Sequence, residues 1–341
     1  MKLAVIGAGA WGTALALALY RSTKLPVELL TQTKAEAEKI NKQRSNNKYL
    51  PGFKLPDLLT ANHVFAEVIS TSELAIIATP VSGFRSSLRQ LQAYAPRLPF
   101  IWACKGLEAD TFLLPHQIVD EEISAASAND PLAATTVNYG ILSGPSFAEE
   151  VAAGQPTAVT LAALQKDFAI HWAQRLHNQN LRIYTSNDLV GVEVGGAVKN
   201  VLAIAVGVCD GLKLGLNSRA ALITRGLAEM SRFGQALGAR PHTFTGLTGV
   251  GDLVLTCTGF LSRNRRVGLA LAEGKDLLSI TTELGHVAEG VPAAPAIMRR
   301  AKQLGVEMPI IEVVCALLDG THTPRETVEL LLSRNPKTEG E

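Results

Sequence analysis

Two polar residues, Lys199 and Asn200, stand within a long apolar stretch of this chain. The stretch, residues 191–215, predicts one helix that is apolar over most of its surface. A lysine in such a helix loses hydration, which lowers the pKa of its ammonium group toward values useful for proton transfer. The alternative is a core helix whose lysine extends its amine to solvent. The adjacent Gly195 and Gly196 are poor helix formers, and they indicate the close approach of a ligand or a second backbone.

A second polar group, Ser262, Arg263 and Asn264, followed by Arg265 and Arg266, opens another predicted helix. Backbone N–H groups, a hydroxyl and a guanidinium at a helix N-terminus can converge on a phosphate group. A nucleic-acid surface would need interleaved aromatic residues and a wider basic field, and the sequence has neither. The remaining alternative is a solvated basic helix face.

The N-terminal segment predicts a dinucleotide-binding loop. A short apolar strand at residues 3–6 leads into a GxGxxG motif and then into a helical pattern at residues 13–20. In this setting the first glycine permits a tight turn, the second lets the backbone approach a pyrophosphate, and the third allows close packing of the helix. The glycines also argue against a secretory leader, which this end of the chain otherwise imitates. The motif consists of Gly7, Ala8, Gly9, Ala10, Trp11 and Gly12.

The end of the second predicted strand, residues 27–31, bears on the choice of cofactor. NAD-selective sites usually carry an acidic residue here for the ribose 2′-hydroxyl. This chain has Gln32 instead, with Lys34 nearby. The missing carboxylate removes repulsion against a 2′-phosphate, so we expect NADP to be preferred and NAD to be tolerated. Alternatively, Lys34 is an ordinary solvated charge.

Further apolar strands are predicted at residues 74–78, 100–103 and 139–142. Polar residues that follow a buried parallel strand lie where α/β sheets bind ligands. This position holds Lys105 after one strand, and Gly144 and Ser146 after another. For Ser146, a capped helix start with an acidic residue three positions later is nearly as good an interpretation.

The alternation of strands and helices stops near Asp188, and helices joined by glycine-rich turns follow. We therefore predict an α/β Rossmann-type dinucleotide-binding domain, residues 1–188, followed by an all-α substrate-binding and catalytic domain, residues 189–341. The length of 341 residues and the hydrophobic content of 47% suit two domains with substantial cores.

Charge and cysteine content restrict the possible functions. The net charge of +1 points to neither nucleic acid nor an acidic membrane surface. The four cysteines lie far apart without metal-ligand spacing, which favours a reducing cytoplasm and no bound metal. Charged and polar residues, among them Glu193, interrupt the best candidate for a membrane span, so we expect no stable membrane insertion.

Several blocks together resemble the bacterial NAD(P)-dependent glycerol-3-phosphate dehydrogenases. They occur in that family's order and span nearly the whole chain. The blocks are GAGAWGTALA at 7–16, CKGLE at 104–108, LSGPSFAEEV at 142–151, GGAVKNVLAIAVGVCDGL at 195–212, GLTGVGDLVLTCTG at 246–259 and SRNRRVG at 262–268.

The resemblance implies reversible, NAD(P)H-dependent reduction of dihydroxyacetone phosphate to sn-glycerol 3-phosphate for glycerophospholipid synthesis, by a homodimer. It implies that Lys199 exchanges the proton, assisted by Lys105 and Asp252. The implied substrate contacts are Lys105, Gly144, Ser146, Lys199, Asn200, Asp252, Ser262, Arg263 and Asn264. The implied cofactor contacts are Gly7, Gly9, Ala10, Trp11, Gly12, Gln32, Lys105, Ala148, Arg263, Val287 and Glu289.

One departure from the family's pattern concerns the cofactor, because many relatives carry Arg or His where this chain has Gln32. Two other functions stay open from sequence. One is a dehydrogenase of another phosphorylated or hydroxy-acid substrate. The other is a non-catalytic NADP-sensing protein.

Overall fold

The computed structural model describes residues 2–129, 137–284 and 288–332. The chain forms two compact units. The first contains the residues up to Cys104 together with Pro115–Leu189, and the second contains Lys105–Leu114 together with the residues from Val190 onward. The segment Lys105–Leu114 thus packs with the helical unit, whereas the predicted first domain, residues 1–188, includes it.

The first unit is built on an eight-stranded sheet. Its strand order is β3-β2-β1-β4-β5-β6-β7-β8, and the first six strands follow the order of a dinucleotide-binding fold. Neighbouring strands are parallel except β6 and β7, which are antiparallel. The strands are β1 (Lys2–Ile6), β2 (Val27–Leu30), β3 (Leu59–Asn62), β4 (Ser72–Ile77), β5 (Phe100–Trp102), β6 (Tyr139–Ser143), β7 (Thr157–Ala162) and β8 (Leu181–Ser186).

Helices accompany this sheet, so its central strands are buried and read as continuous apolar runs. Helix α1 contributes a buried run from Gly12 to Leu19 to the core of the unit. The helices of this unit are α1 (Ala10–Thr23), α2 (Lys34–Gln43), α3 (Phe65–Ser70), α4 (Val81–Tyr94), α5 (Pro115–Asn129), α6 (Ala148–Ala153) and α7 (Lys166–Leu176).

All the regular secondary structure described in the second unit is helical, and the predicted α/β-plus-all-α fold class is confirmed. Helix α10 is preceded by a 3₁₀ helix, Pro241–Thr245, and a π-helical turn, Leu247–Gly251. The α-helices are α8 (Leu189–Gly211), which begins at the junction of the units, α9 (Gly215–Ala236), α10 (Asp252–Thr258), α11 (Arg263–Ala272), α12 (Leu277–Leu284), α13 (Gly290–Gln303), α14 (Pro309–Leu318) and α15 (Pro324–Leu332).

Helix α8 is the centre of this unit, and glycines let other backbones approach it. A Cβ at Gly195 would lie 2.1 Å from the carbonyl oxygen of Thr248, and one at Gly207 would lie 2.2 Å from that of Arg265. Gly195 therefore makes room for a protein backbone. Of the two alternatives, a ligand or a second backbone, the structure therefore shows the second at Gly195.

Helix α8 is also long and apolar enough to cross a membrane by length and composition, with a mean hydropathy of 1.7. However, 94% of its most apolar window is buried inside the protein, as is typical of a core helix. Among the cysteines, Cys104, Cys209 and Cys257 are buried free thiols, and Cys315 is partly exposed.

Candidate active site

The amine of Lys199 lies inside the second unit. The residue is only 7% exposed. Its Nζ donates hydrogen bonds to Oδ1 of Asp252 and, at 3.0 Å, to Oγ1 of Thr256. The alternative that this lysine extends to solvent is therefore wrong.

Asp252 joins two lysines. Its side chain is fully buried, and its second oxygen, Oδ2, accepts a hydrogen bond from Lys105 Nζ at 2.7 Å. Asp252 is the first residue of α10, where a carboxylate also interacts favourably with the helix dipole. One carboxylate thus holds two ammonium groups, from α8 and from the segment that precedes α5.

Thr256, one turn after Asp252, completes this group and was not predicted from the sequence. Its hydroxyl donates to the carbonyl oxygen of Asp252 at 2.6 Å, so the hydroxyl oxygen accepts from Lys199. The sequence signal that could have indicated Thr256 is its spacing from Asp252, because residues four apart on a helix lie on one face.

Burial and charge act in opposite directions on these groups. Loss of hydration lowers the pKa of Lys199 from 10.5 to about 8, although Asp252 counteracts part of that effect and Lys105 adds to it. Burial alone would raise the pKa of Asp252. The two ammonium groups of Lys105 and Lys199 outweigh it and hold the pKa of this carboxyl below its usual range. The site therefore combines a stable carboxylate with an amine that titrates near neutrality.

A chain of amide hydrogen bonds connects α8 with α11 and α13. Asn264 donates to Oδ1 of Asn200 at 2.9 Å and accepts from the backbone N–H of Gly290 at 2.9 Å. Asn200 also donates to the carbonyl of Gly196 at 3.3 Å. These bonds place the residue after Lys199 against the first turn of α11.

The first turn of α11 differs from the predicted arginine cluster. Ser262 caps the helix by accepting from the N–H of Arg265 at 3.2 Å, and the exposed Arg263 begins the helix. Arg265 is instead paired with Asp210 at 2.7 Å and is nearly buried. Of the predicted anion-binding group, Arg263 and Arg266 are thus exposed, whereas Ser262, Asn264 and Arg265 are buried.

Glu289 immediately precedes α13. Burial raises the pKa of its carboxyl, and the positive charges of Arg263, Lys105 and Lys199 oppose this effect. Val287, predicted with Glu289 as a cofactor contact, lies outside the described residues.

The glycine-rich loop of the first unit has a geometry that fits a dinucleotide. Gly7 has a φ of 111°, and a Cβ at Gly12 would lie 1.9 Å from the carbonyl oxygen of Gly7. A Cβ at Gly9, in contrast, would meet nothing within 4 Å. The start of α1 carries no acidic residue in its first turn, so its N–H groups suit a phosphate.

The end of β4 lies beside this loop, where the strand order changes direction. A Cβ at Gly7 would lie 3.0 Å from the backbone of Ala78. The hydroxyl of the next residue, Thr79, is buried without a hydrogen-bond partner among the described residues. Dinucleotides bind at such a switch point of α/β sheets, so these residues fit a nicotinamide dinucleotide.

The other predicted residues of the first unit occupy the ends of its elements. Gly144 has a φ of 135°, and Ser146 donates to its carbonyl at 3.0 Å. Helix α6 begins at Ala148, without a side-chain cap, so the alternative interpretation of Ser146 as a helix cap was wrong. Ala10 and Trp11 lie in the first turn of α1, packed against the core.

The end of β2 carries exposed polar residues. Gln32 is exposed, and Lys34 is 71% exposed and lies 3.8 Å from Glu38. A pair this exposed contributes little to stability, so the lysine can exchange this partner for a ligand anion.

Comparison with known proteins identifies the family. Residues 2–169 match the family described as NAD-dependent glycerol-3-phosphate dehydrogenase N-terminus, and residues 188–329 match the corresponding C-terminus family. A Dechloromonas aromatica protein named glycerol-3-phosphate dehydrogenase (NAD(P)+) is 54% identical, with 99% of each chain covered. A relative of the same name from Aromatoleum aromaticum is 53% identical over 99% of this chain and 100% of its own.

A solved structure supports the same family. The crystal structure of a glycerol-3-phosphate dehydrogenase from Coxiella burnetii has a TM-score of 0.91 at 39% identity, covering 98% of this chain and 99% of that one. These matches favour the family suggested by the sequence blocks over another dehydrogenase or a non-catalytic sensor. The chain belongs to the NAD-dependent glycerol-3-phosphate dehydrogenase family.

Proposed function

We propose that this protein catalyses the reversible, NAD(P)H-dependent reduction of dihydroxyacetone phosphate to sn-glycerol 3-phosphate. The observation that carries the proposal is the buried group formed by Lys105, Asp252, Lys199 and Thr256, in a chain of this family. Reduction of a ketone requires a hydride at carbon and a proton at oxygen. When bound, the reduced nicotinamide supplies the hydride, and the protein has to supply the proton.

Lys199 is the proposed proton donor. With a pKa of about 8, its ammonium form predominates at neutral pH, and its neutral form is accessible for the reverse reaction. Asp252 and Thr256 fix the direction of the amine, since both accept hydrogen bonds from it. Lys105, held by the same carboxylate, would polarise the carbonyl oxygen of the ketone.

The start of α11 is the proposed phosphate site. Ser262 retains its O–H donor after capping the helix, and Arg263 adds a guanidinium. Asn264 retains one N–H of its amide beyond the bond to Asn200. Phosphate binding remote from the reacting carbon positions the ketone for reaction. Gly144 and Ser146 are further proposed substrate contacts.

The glycine-rich loop and the start of α1 are the proposed pyrophosphate site. Gly7, Gly9, Ala10, Trp11 and Gly12 belong to it. The other proposed cofactor contacts are Gln32, Lys105, Ala148, Arg263, Val287 and Glu289. The absence of a carboxylate after β2, together with the exposed Lys34, supports a preference for NADP, with NAD also accepted.

We further propose the setting in which the enzyme works. The product would supply glycerophospholipid synthesis in the cytoplasm, in line with the free thiols of its four cysteines. The active form would be a homodimer. Residues 1–188 would bind the cofactor, and residues 189–341 would bind the substrate and carry out proton transfer.

Replacement of Lys199 by Met tests the assignment of the proton donor. We expect kcat for NADPH oxidation with dihydroxyacetone phosphate to fall by about 10²–10⁴-fold, because general acid catalysis contributes that much. The Kd for NADPH should stay close to that of the wild type. The matched control is Lys302→Met at an exposed position of α13. A Lys199→Met enzyme that keeps kcat within about threefold of wild type would contradict the role.

A further inference from the structure

A buried asparagine outside the predicted site holds the glycine-rich loop. Asn46 follows α2 and is 2% exposed. Its Nδ2 donates to the carbonyl oxygen of Ala8 at 2.8 Å and to Oγ1 of Thr13 at 2.8 Å. The Thr13 hydroxyl in turn donates to the carbonyl of Gly9 at 2.8 Å. Two successive carbonyls of the loop are thereby fixed from the protein interior.

Fixing these carbonyls also fixes the N–H groups on the other side of each peptide unit. In a planar trans peptide the N–H points opposite to the carbonyl of the same unit. The carbonyl of Ala8 shares its unit with the N–H of Gly9, and the carbonyl of Gly9 shares its unit with the N–H of Ala10. Both N–H groups consequently point away from Asn46 and Thr13. A Cβ at Gly9 would meet nothing within 4 Å, so this part of the loop is open to a ligand.

We propose that Asn46 is a positioning residue for the cofactor, which orients the N–H groups of Gly9 and Ala10 toward the pyrophosphate of NAD(P). This inference rests on the proposed placement of the pyrophosphate at the glycine-rich loop. Asn46 acts through the loop and makes no contact with the cofactor itself. Its side chain therefore affects the binding of every ligand that carries the pyrophosphate, with or without a 2′-phosphate on the ribose.

The direct test measures dissociation constants for Asn46→Ala by quenching of protein fluorescence. NADPH and NADH should both bind about tenfold more weakly, because the loop loses two hydrogen bonds that orient it. Adenosine 2′-monophosphate, which has no pyrophosphate, should bind as to the wild type. If Asn46 had only a structural role, its replacement would weaken the binding of all three ligands alike.

Two further variants address the same hydrogen bonds. Asn46→Asp keeps the shape of the side chain but replaces the donor by an acceptor facing the Ala8 carbonyl, and it should lose at least as much affinity as Asn46→Ala. Thr13→Val removes the hydroxyl that joins Asn46 to Gly9. Because the two residues share one chain of bonds, the double variant Asn46→Ala/Thr13→Val should lose less than the product of the single effects.

The control is Asn47→Ala, the adjacent exposed asparagine, whose amide donates to Gln43 at 3.3 Å. It should bind all three ligands like the wild type. A change of less than about twofold in NADPH affinity for Asn46→Ala, or an equal loss for adenosine 2′-monophosphate, would overturn the proposal.

Gly9→Val separates this inference from the placement of the cofactor. The φ of −71° at Gly9 accepts a side chain, and the added atoms extend into open space. If Gly9→Val binds NADPH normally, the pyrophosphate does not lie at this loop, and the proposed cofactor site fails. If Gly9→Val loses NADPH binding while Asn46→Ala does not, only the role of Asn46 fails.

Discussion

At the scale of single residues, the state of Lys199 depends on two opposed contributions. Burial favours the neutral amine, and the neighbouring Asp252 favours the ammonium ion, with a resulting pKa of about 8. An amine with its ordinary pKa of 10.5 would be a poor base at neutral pH. The balance of burial and charge thus makes one lysine usable in both directions of a reversible reaction.

The pH dependence of the two directions follows from this pKa. Reduction needs the ammonium form, which is present below about pH 8, so kcat/KM for dihydroxyacetone phosphate should fall as the pH rises through this value. Oxidation of glycerol 3-phosphate needs the neutral amine, so its kcat/KM should rise over the same interval. Initial rates between pH 6.5 and 9.5, in buffers of constant ionic strength, provide the measurement. Parallel profiles for the two directions would contradict the assignment.

Asp252→Asn tests the contribution of charge. The carboxylate raises the pKa of Lys199. Its removal should therefore shift the fall in kcat/KM for reduction to a pH below about 8, and it should lower kcat at neutral pH. The pH profile of kcat/KM, compared with that of the wild type, reports the shift. Asp319→Asn, at an exposed position after α14, is the control and should leave the profile unchanged. If kcat/KM of Asp252→Asn falls at the same pH as that of the wild type, Asp252 does not set the charge of the lysine.

The sequence indicated Lys199 but not its full surroundings. A lysine in an apolar helix can be recognised from local pattern alone, because the pattern itself predicts loss of hydration. Thr256 and Asn46 could not be recognised in this way. Their roles depend on hydrogen bonds to residues that the fold brings near, and threonines and asparagines are common in ordinary turns and helices.

At the scale of elements, close packing around α8 places the polar groups. Gly207 of α8 and Gly268 of α11 let these helices approach until a Cβ at Gly268 would lie 2.1 Å from the carbonyl oxygen of Ile204. Such an approach brings Asn264 within hydrogen-bonding distance of Asn200. The glycines of the second unit therefore act on the site through helix packing.

Gly207→Ala should destabilise the protein by roughly 1–3 kcal/mol, because the added methyl group would overlap the backbone of Arg265. Thermal unfolding followed by circular dichroism measures the effect. Gly83→Ala in α4 is the matched control. Its added Cβ would meet Thr79 at an ordinary 3.4 Å, so this variant should be neutral or slightly stabilised. Equal unfolding temperatures for the two variants would contradict the packing argument.

Elements with strong patterns were predicted well, and weak ones were missed. Strand β1 and helix α8 were located to within a few residues because their apolar runs are continuous. Strand β3, with the sequence LTAN, alternates in burial, but four residues that include Ala and Asn are too short and weak a strand signal to be recognised, and pairing with β2 stabilises it. Helix α6 begins two residues after Ser146, and the alternative of a cap at Ser146 fails because this hydroxyl bonds to the preceding turn.

At the scale of the whole molecule, each unit has a hydrophobic core and a distinct set of candidate ligand groups. The sheet unit carries the glycine-rich loop, and the helical unit carries the lysines, Asp252 and the start of α11. The pattern of strands stops near Asp188, and the chain passes from the first unit to the second between Leu189 and Val190. The assignment of Lys105–Leu114 to the helical unit could not be predicted, since it depends on which core receives Leu107 and Leu114.

Hydrogen exchange should distinguish the ligands of the two units. NADPH alone should slow exchange at the glycine-rich loop and the first turn of α1, whereas glycerol 3-phosphate alone should slow exchange at the start of α11. Each ligand covers the N–H groups of its own helix start. Mass spectrometry of peptides from the two regions provides the measurement. Protection of the loop by glycerol 3-phosphate without protection of α11 would contradict the proposed phosphate site.

The buried thiol of Cys257 has a consequence for how this site can be observed. Cys257 follows Thr256 in α10, is 0% exposed, and has its pKa raised to about 12 by burial. An alkylating reagent can modify it only when α10 opens, because both access and the thiolate form require exposure to water. The rate of its alkylation therefore measures the opening free energy of the helix that holds Asp252, and the native thiol serves as a reporter without an added probe.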